Sequence, residues 1–352
     1  MKARTLSEPR VLLDARWLGR GGPGRATELL LRGLGDRPPP GRWIVWGPET
    51  VAPFLWDGSE HHLVTHSPAR LWGQGAVRLP AHDRALYLHQ IRPLAGKHAV
   101  TLIHDTIPLR YASNAGDRWL KRVYLRSVAR RSVAIITVSE FSRHCIERDL
   151  RVDRRRISVV RYPVDRALAE RVRRLRADLE PRARIVWVGR YARHKNLERL
   201  IEAFSKTAFA DSGGELVLAG IEDASKARVE SAAHGSRATI TVLGTIAQDK
   251  LDRLYATSRA LVMPSLEEGF GLPAWEAMAC GLPVALADAG SLPEIGTDVA
   301  HFFPPTSISA MARAIDEAVE AKPGAAPAAA LGSAPSVEEF AARVARIVVE
   351  AP

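Results

Sequence analysis

The chain has 352 residues, of which 46% are hydrophobic and 25% are charged, a composition typical of soluble globular proteins and long enough for two domains. It has no apolar run near about 18 residues and no signal-peptide core at its start, which argues against a membrane-spanning or secreted protein. Cys145 and Cys280 lie far apart and indicate a reducing compartment rather than a disulfide framework. We expect a cytoplasmic location.

The net charge of +11 is carried by the first half of the chain. Residues 1–170 hold 29 Lys and Arg against 16 Asp and Glu, a balance of +13, whereas residues 171–352 hold 21 against 23, a balance of −2. The first half is therefore predicted to face an anionic partner, such as membrane headgroups, a lipid-linked diphosphate or nucleic acid.

The chain begins with a strand at 11–13, a glycine-rich turn at 19–24 and an amphipathic helix, which together resemble the opening of a Rossmann-like domain. The turn lacks the Gly-x-Gly-x-x-Gly spacing, so we do not predict a dinucleotide site; a plain tight turn remains open. Residues 36–97 predict loops and short strands. The three histidines in that region are interpreted as loop residues rather than metal ligands: His61, His62 and His66.

A buried strand at 99–103 ends in His104. Polar residues at the carboxyl end of a parallel strand lie where such sheets bind ligands. A neutral histidine there could hydrogen-bond a hydroxyl of a ligand, and a satisfied structural histidine is the alternative.

Residues 117–131 predict a helix with an apolar side surrounded by cations. The apolar side is predicted to hold Trp119, Leu120, Val123, Tyr124 and Val128. Two interpretations stay open for Arg118–Arg131: contact with an anionic membrane surface, or a packed helix with a solvated basic face.

After strands at 134–138 and 157–160, the arginine-rich stretch 165–184 is interpreted as the interdomain connection. A strand at 185–188 is followed by Arg190, and a helix is predicted over Lys195–Phe204. Arg190 could bind a diphosphate bidentately, and Lys195 could bind it as a point charge beside the helix amino terminus. An unliganded surface pair is the alternative.

Further strands are predicted at 216–220, 240–244, 260–263 and 284–287. The third of them leads into a loop with Glu268 and a helix whose first residues include Pro273, with Gly281 just past its end. Glu276 is predicted in the first turn of that helix. Two carboxylates can accept hydrogen bonds from sugar hydroxyls, and the amides of Phe270, Gly271 and Leu272 can meet anionic oxygens.

These segments resemble one family closely. The run from Glu268 through Gly-Phe-Gly-Leu-Pro to Glu276 and Ala-Met-Ala-Cys-Gly-x-Pro-Val is similar to the signature of the family-4 retaining glycosyltransferases of the GT-B fold. Asp14-Ala-Arg with the glycine turn, His104-Asp, Thr137–Ser142, and Arg190 with Lys195 match the same family. Tyr162-Pro-Val-Asp165 departs from its usual Asn-Gly-Val-Asp, which puts any acceptor contact there in doubt.

The resemblance implies an α/β protein of two Rossmann-like domains facing across a cleft. The first domain (1–167) would bind the acceptor and the second (168–335) the nucleotide sugar, while a last helix (336–352) crosses back to the first domain. Arg190, Lys195, Glu268 and His104 would be catalytic. Other residues would bind the donor: Gly21, Gly22, Leu243, Pro264, Phe270, Gly271, Leu272 and Glu276.

The implied reaction moves a mannose- or rhamnose-like hexose from a nucleotide-diphosphate sugar, with GDP favoured, to a glycan or lipid-linked acceptor. No cofactor is expected. No Asp-x-Asp occurs in the sequence, so a metal-bridged diphosphate is not expected either. The protein could also lie peripherally on the inner face of the cytoplasmic membrane. The alternatives are a GT-B epimerase or phosphorylase, a non-catalytic sugar-nucleotide-binding protein and, less well supported, a nucleic-acid-binding protein.

Overall fold

A computed structural model describes residues 9–64, 79–94, 98–321 and 334–352. Within them the chain forms two compact units. The first combines residues up to Pro163 with Pro335–Pro352, and the second spans Val164–Ala334. The boundary predicted after residue 167 therefore falls inside the second unit, whereas the predicted start of the last segment, at 336, lies next to the observed one.

The first unit is built on a parallel sheet with seven strands in the described residues, in the order β3-β2-β1-β4-β5-β6-β7. The strands are β1 Arg10–Asp14, β2 Arg42–Gly47, β3 Glu60–Leu63, β4 Arg84–Tyr87, β5 Ala99–Leu102, β6 Ser132–Thr137 and β7 Ile157–Val159. The central strands are almost wholly apolar and buried, as parallel strands covered on both faces must be.

The second unit has a parallel sheet of six described strands in the order β10-β9-β8-β11-β12-β13. Its strands are β8 Arg184–Val188, β9 Glu215–Ala219, β10 Thr239–Leu243, β11 Ala260–Met263, β12 Val284–Ala287 and β13 Ala300–Phe303. In both sheets the first strand lies in the middle. The next two strands are added on one side of it, and the later strands are added on its other side, which is the Rossmann strand order.

Helices connect the strands. In the described residues they are α1 Gly21–Asp36, α2 Ile107–Arg110, α3 Ala115–Arg130, α4 Glu140–Leu150, α5 Arg166–Asp178, α6 Leu197–Phe204, α7 Ala208–Asp211, α8 Asp223–His234, α9 Gln248–Thr257, α10 Leu272–Ala279, α11 Leu292–Gly296, α12 Ile308–Glu320 and α13 Val337–Glu350. Short 3₁₀ turns lie at Glu49–Phe54, Arg154–Arg156, Arg193–Lys195 and Thr297–Val299. None of these helices has the length and hydrophobicity that a membrane span requires.

Three predictions about the second unit were wrong. The stretch 165–184 is not a connection: it contains α5, which buries Leu168 and Val172 and packs against α9. Lys195 lies in the 3₁₀ turn before α6, which begins only at Leu197. Glu276 is the fifth residue of α10 and therefore lies in its second turn.

Several local features agree with short sequence patterns. Ser139 caps α4, its Oγ accepting from the Ser142 amide at 3.0 Å. Ser336 and Glu339, in the pattern Ser-x-x-Glu, form a reciprocal capping box at the start of α13. Cys145 and Cys280 are buried thiols that form no disulfide in the described parts of the chain. Helix α13 packs against α1, as expected for a last helix that returns to the first domain.

The contact between α1 and α13 depends on Gly33. A Cβ atom there would collide with the Val337 carbonyl oxygen and lie 2.7 Å from Ala341 Cβ. We expect Gly33→Ala to destabilise the first unit by about 1–3 kcal/mol, because overpacking forces two well-packed helices apart. Urea unfolding followed by tryptophan fluorescence would measure this.

Gly35, on the same helix, is the matched control. A Cβ there would meet only the Phe54 carbonyl oxygen at 3.8 Å. Gly35→Ala should therefore leave stability unchanged or raise it by about 0.5–1 kcal/mol through helix propensity. Equal destabilisation by both substitutions would contradict the assignment of a close helix contact at Gly33.

Candidate functional site

The main cluster of predicted site residues lies where the strand order of the second sheet reverses. Strands β8 and β11 are neighbours. The chain continues from β8 to β9 in one direction along the sheet and from β11 to β12 in the other. Open α/β sheets bind ligands at the carboxyl ends of the strands at such a reversal. Arg190 and Lys195 follow β8, and Pro264 and Glu268 follow β11, so four predicted residues share this position.

Backbone and side-chain hydrogen bonds join the loops after β8 and β11. The Leu266 amide donates to the His194 carbonyl at 2.7 Å. The buried Asn196 side chain donates from Nδ2 to the carbonyls of Pro264 at 2.9 Å and Pro305 at 2.8 Å. Asn196 has φ +60°, a left-handed conformation that asparagine tolerates better than most residues. The loop positions are therefore fixed by contacts within the unit.

An ion pair lies at this junction. Lys195 Nζ donates to Glu268 Oε1 at 2.6 Å, and Ser265 Oγ donates to the same oxygen at 2.6 Å. Glu268 is 7% exposed. Burial alone would raise the pKa of Glu268, but the charge and hydrogen bond of Lys195, with Ser265, outweigh it and hold the pKa below its usual value. Glu268 is therefore an ionised, fixed acceptor.

His194 lies between the charged groups of the cluster. Burial, assisted by the charge of Lys195, lowers its pKa to about 4, with Glu268 opposing and Arg190 adding to the shift. The three charged residues thus all act on one imidazole, which is neutral at pH 7. Arg190 itself is exposed, with its side chain 66% accessible and Nη1 3.6 Å from Glu222 Oε1. Its guanidinium can be reached by a ligand.

Helix α10 starts at the end of the β11 loop. Gly271 is its N-cap at φ +96°, and a Cβ there would lie 2.6 Å from Leu292 Cδ2, so only glycine fits. The Phe270 ring is buried and packs edge-to-face on Trp275 with centroids 5.7 Å apart. Phe270, Gly271 and Leu272 therefore bring their amides to a helix amino terminus, as predicted. Glu276 is half-buried one turn further along.

Two other predicted donor residues differ in placement. The Pro264 carbonyl already accepts the Asn196 hydrogen bond, so its backbone supports the loop. Leu243 ends β10, the edge strand, which is separated from β8 by β9. Its carbonyl accepts the Ile221 amide at 3.1 Å. Leu243 and Arg190 thus both lie at the carboxyl ends of the parallel strands, but Leu243 is two strands away from β8.

Gly21, Gly22 and His104 belong to the first unit. Gly21, with φ +56°, and Gly22 are the first residues of α1, directly after the loop that leaves β1. The space where a Gly22 side chain would lie is open to at least 4 Å. The glycine turn is therefore accessible at a helix amino terminus, but the reason for glycine at position 22 is not a close contact within the unit.

His104 has hydrogen bonds at both ring nitrogens. Nε2 donates to the Leu88 carbonyl at 3.0 Å, so Nδ1 accepts from the Tyr162 hydroxyl at 2.7 Å. Burial lowers the pKa of His104 to about 4, partly offset by the Leu88 hydrogen bond. The ring is neutral and already satisfied, which favours the structural alternative in the ligand-free protein; a role toward the sugar stays a prediction.

Sequence reasoning missed His89, which lies where the strand order of the first sheet reverses, between β1 and β4. It missed both the stacking of His89 on Trp17 and its proximity to His104. His89, two residues past β4, stacks on Trp17, which follows β1, with ring centroids 3.9 Å apart. His89 is 8% exposed and lies 5.7 Å from His104, centroid to centroid. The signal was a polar His-Gln pair directly after the apolar run 85–88, inside the region predicted only as loops and short strands.

In the second unit, sequence reasoning missed the roles of His194, Asn196 and Ser265. All three are direct neighbours of a predicted residue. The His194 carbonyl and the Asn196 side chain bind the loop after β11, and the Ser265 hydroxyl binds the Glu268 carboxylate. No group of three or more His, Cys, Asp and Glu side chains that could hold a metal ion occurs in the described parts of the chain. Predicted loop residue His66 lies outside the described residues.

Comparison with known proteins identifies the second unit. Residues 170–332 match the family model described as glycosyl transferases group 1. Nearly all of the second unit is therefore similar to the group 1 glycosyl transferases. This confirms the resemblance that the motifs after β8 and β11 indicated.

Curated relatives agree with this family. The O-antigen chain mannosyltransferase RfbU of Salmonella typhimurium is 28% identical over 222 residues, covering 62% of this chain and 59% of RfbU. The O-antigen chain mannosyltransferase B of Escherichia coli is 29% identical over 251 residues, covering 64% of this chain and 62% of the relative. The chain thus spans about three fifths of the length of these relatives.

Solved structures extend the likeness over the whole chain. Anabaena Alr3699/HepE in complex with UDP and glucose has a TM-score of 0.73 at 16% identity, covering 97% of this chain and 100% of that chain. WaaG, a glycosyltransferase involved in lipopolysaccharide biosynthesis, has a TM-score of 0.66 at 15% identity, covering 97% and 95%. At this identity the likeness shows the fold alone, and it confirms the predicted GT-B fold.

The neutral histidines His104, which is buried, and His194, which is half-buried, predict acid sensitivity. For a histidine whose folded pKa is depressed from 6.5 to about 4, the unfolded state binds the proton first, so stability is lost as pH falls from 6.5 toward 4. For His104 alone the loss is on the order of 3 kcal/mol. Urea unfolding at a series of pH values should show a free energy of unfolding that drops across this window.

His104→Gln should flatten this pH dependence for the first unit, whatever its effect on absolute stability. His62→Gln is the control, because His62 is exposed on β3, and it should leave the slope unchanged. An unaltered slope in His104→Gln would contradict the assignment of a neutral buried imidazole.

Proposed function

We propose that the protein transfers a hexosyl group from a nucleotide-diphosphate sugar to a glycan or lipid-linked acceptor, with retention of anomeric configuration and without a metal ion. The observation that carries this proposal is the cluster of Arg190, Lys195 and Glu268 at the strand reversal of the second sheet. It combines two cations with a fixed carboxylate and adjacent helix amino termini, which is the chemistry that a sugar diphosphate requires.

Arg190 and Lys195 would bind the diphosphate. Arg190 is exposed, and the one ion pair that it forms with the described residues, with Glu222, is long at 3.6 Å, so it can turn toward an incoming phosphate at little cost. Lys195 is pre-positioned by Glu268 at 2.6 Å. Cations that are already in place stabilise the negative charge on the leaving diphosphate as the bond to the sugar breaks. They would take the role that a metal ion has in other glycosyltransferases.

Glu268 would bind hydroxyls of the transferred sugar, and Glu276 would bind those of the ribose. Glu268 accepts from Lys195 and Ser265 through Oε1. A carboxylate offers about four acceptor positions, so further hydroxyl donors can be bound. The amides of Phe270, Gly271 and Leu272, at the start of α10, would bind the remaining oxygens of the donor.

In the proposed reaction, the bond between the anomeric carbon and the diphosphate oxygen breaks. The acceptor hydroxyl oxygen forms the new bond on the same face of the sugar, and its proton goes to the departing diphosphate oxygen. Lys195 and Arg190 stabilise that leaving group. His104 would approach the sugar only if its hydrogen bond with Tyr162 opened, so we assign it a contact role and no proton transfer.

Mannose is the proposed hexose, and rhamnose is the second candidate. The two curated relatives named above are mannosyltransferases of O-antigen chains, which supports a mannose-like donor, with GDP as the favoured nucleotide. The UDP in the complex of HepE makes UDP the principal competitor. A lipid-linked glycan is the proposed acceptor, because the first half of the chain carries the cationic excess, and the protein would then work peripherally at a membrane.

The alternative activities use the same site. An epimerase or phosphorylase of this fold would also bind the sugar nucleotide, and a non-catalytic protein would bind it without turnover. A nucleic-acid-binding protein would need none of the residues clustered after β8 and β11. Binding and turnover therefore have to be measured separately.

Nucleotide binding should raise the thermal stability of the purified protein. A nucleoside diphosphate at 100 times its dissociation constant adds about 2.7 kcal/mol. We expect one of GDP, UDP, dTDP and ADP, with GDP favoured, to raise the melting temperature, and Arg190→Ala to abolish that shift because the diphosphate loses a bidentate partner.

Arg228→Ala is the matched control. Its side chain is 68% exposed and lies 3.1 Å from Glu198, much as Arg190 is exposed and paired with Glu222. It should keep the nucleotide shift. No shift with any of the four nucleotides, or an equal loss in both variants, would overturn the diphosphate site.

Turnover should yield a product whose anomeric configuration matches that of the donor, and the rate should survive EDTA. Glu268→Gln should lower the transfer rate by about 10²-fold or more, because the neutral amide no longer fixes Lys195 by charge. NMR of the product and assay of free sugar-nucleotide interconversion would test these points. An inverted product, loss of activity in EDTA, or interconversion without transfer would each refute the corresponding part of the proposal.

A further inference from the structure

Helix α3 has an outer face that its own unit leaves uncovered. Trp119 is 65% exposed and Val123 is 43% exposed. Both belong to the apolar side predicted for this helix, for which contact with a membrane surface and packing within the protein were left open. Among the large hydrophobic residues of the described chain, four are exposed, and these two alone share an element. They lie four residues apart and therefore next to each other on the helix surface.

The inner face of α3 is firmly packed without them. Leu125, Val128 and Ala129 are buried. The Tyr124 hydroxyl donates to the Arg92 carbonyl at 2.7 Å and accepts from the Arg92 amide at 3.0 Å. The orientation of the helix is thus fixed by its other side, so Trp119 and Val123 cannot turn inward.

A row of arginines runs beside the two apolar residues. Arg118, Arg122, Arg126 and Arg130 recur every four residues, and all except Arg126 are exposed. The one ion pair that α3 forms in the described chain joins Lys121 to Asp117 at 2.7 Å. Arg118, Arg122 and Arg130 therefore have no carboxylate partner among those residues.

The positive charges of this row repel one another. The pKa of Arg126 is lowered first by burial and then by the cations Arg151, Arg122 and Arg130, with Asp149 opposing. A surface on which cations repel one another without matching carboxylates favours an anionic partner. Exposed Trp and Val beside the cations favour a partner that also offers an apolar phase.

We propose that α3 docks the protein on an anionic lipid bilayer, with Trp119 and Val123 entering the interface and Arg118, Arg122 and Arg130 meeting lipid phosphates. Tryptophan is well suited to the headgroup boundary because its ring is apolar and its N–H is polar. A soluble polyanion would pair with the arginines but would give Val123 no reason to be exposed. The inference deepens the proposed use of a lipid-linked acceptor. The membrane contact is argued from α3 itself, and only its purpose rests on the proposed function.

The test is cosedimentation of the full chain with vesicles, without nucleotide or acceptor. We expect binding to phosphatidylcholine vesicles that contain phosphatidylglycerol and none to pure phosphatidylcholine. Arg122→Ala with Arg130→Ala should weaken binding about thirtyfold, because each cation near an anionic surface strengthens it about fivefold. Trp119→Ala with Val123→Ala should weaken it roughly tenfold at unchanged net charge.

The matched charge control is Arg173→Ala with Arg174→Ala. These arginines lie on α5 with side chains 73% and 74% exposed, and both pair with Glu170. The control removes the same net charge elsewhere and should leave binding unchanged. Because all substituted residues are exposed, each variant should keep the circular dichroism melting curve of the original protein.

Three results would overturn the proposal: no binding to anionic vesicles, equal weakening by the two arginine pairs, or full binding by the Trp119 and Val123 variant. Salt-sensitive retention on heparin without vesicle binding would point to a soluble polyanion instead. The nucleotide experiment above depends on Arg190 and needs no vesicles, so vesicle binding and the proposed activity can fail independently.

Discussion

The ion pair between Lys195 and Glu268 is the interaction on which the site of the second unit depends. A carboxylate that is 7% exposed is tolerated only when a charge and hydrogen bonds compensate its lost hydration. Lys195 and Ser265 provide both at 2.6 Å. The Ser291 amide and hydroxyl also donate to the Glu268 carbonyl, at 3.2 and 3.0 Å, so the loop after β12 is held in the same place. Three strand ends are thereby brought together before any ligand binds, and a ligand need not order them.

The cost of burying charged side chains is compensated differently in the first unit. Asp14 and Arg16 form a pair with side chains 1% exposed, and the Arg16 guanidinium lies 3.9 Å from the Trp46 ring centroid. Arg92, at 0% exposure, has no carboxylate partner in the described parts of the chain: it lies 4.5 Å from the Tyr87 ring centroid and donates to the carbonyls of Pro93 and Val128 and to Ser132 Oγ. Burial accordingly lowers the pKa of Arg92 and raises that of Tyr87 to about 12. These cations stabilise the scaffold and are not available to a ligand.

Sequence predicted those elements whose signals are local. The strands at β1, β5, β8 and β11 are short apolar runs that end in Gly or polar residues, and the caps at Ser139 and Ser336 need only a four-residue pattern.

Prediction from sequence failed where the contact that decides the structure is made with residues distant in the sequence. Helix α5 reads as a charged linker because its apolar stripe contains few residues, and it is a helix because Leu168 and Val172 pack in the second unit. Strand β2 holds two tryptophans in a proline-rich context, and its pairing with β1 is what makes it a strand. The motif residues of the site could be predicted. The role of Asn196 could not, because its side chain donates to the carbonyls of Pro264 and Pro305, which are distant in the sequence. The role of Ser265 could not, because the motif does not show which way its hydroxyl points, and only the folded loop brings it to the Glu268 carboxylate.

Net charge is therefore an incomplete guide to partners. Of the cations in the first half, Arg16 and Arg92 are buried, Arg110 pairs with Asp149, and Arg155 pairs with Asp153. What remains for an anionic partner is the set without a carboxylate nearby, and on α3 that set lies beside an exposed Trp119 and Val123. A uniformly basic surface would attract any polyanion. Cations beside an apolar ridge favour a partner that combines anionic groups with an apolar phase, as a bilayer does. The distribution of unpaired charge, more than its sum, is therefore the basis of the proposed lipid partner.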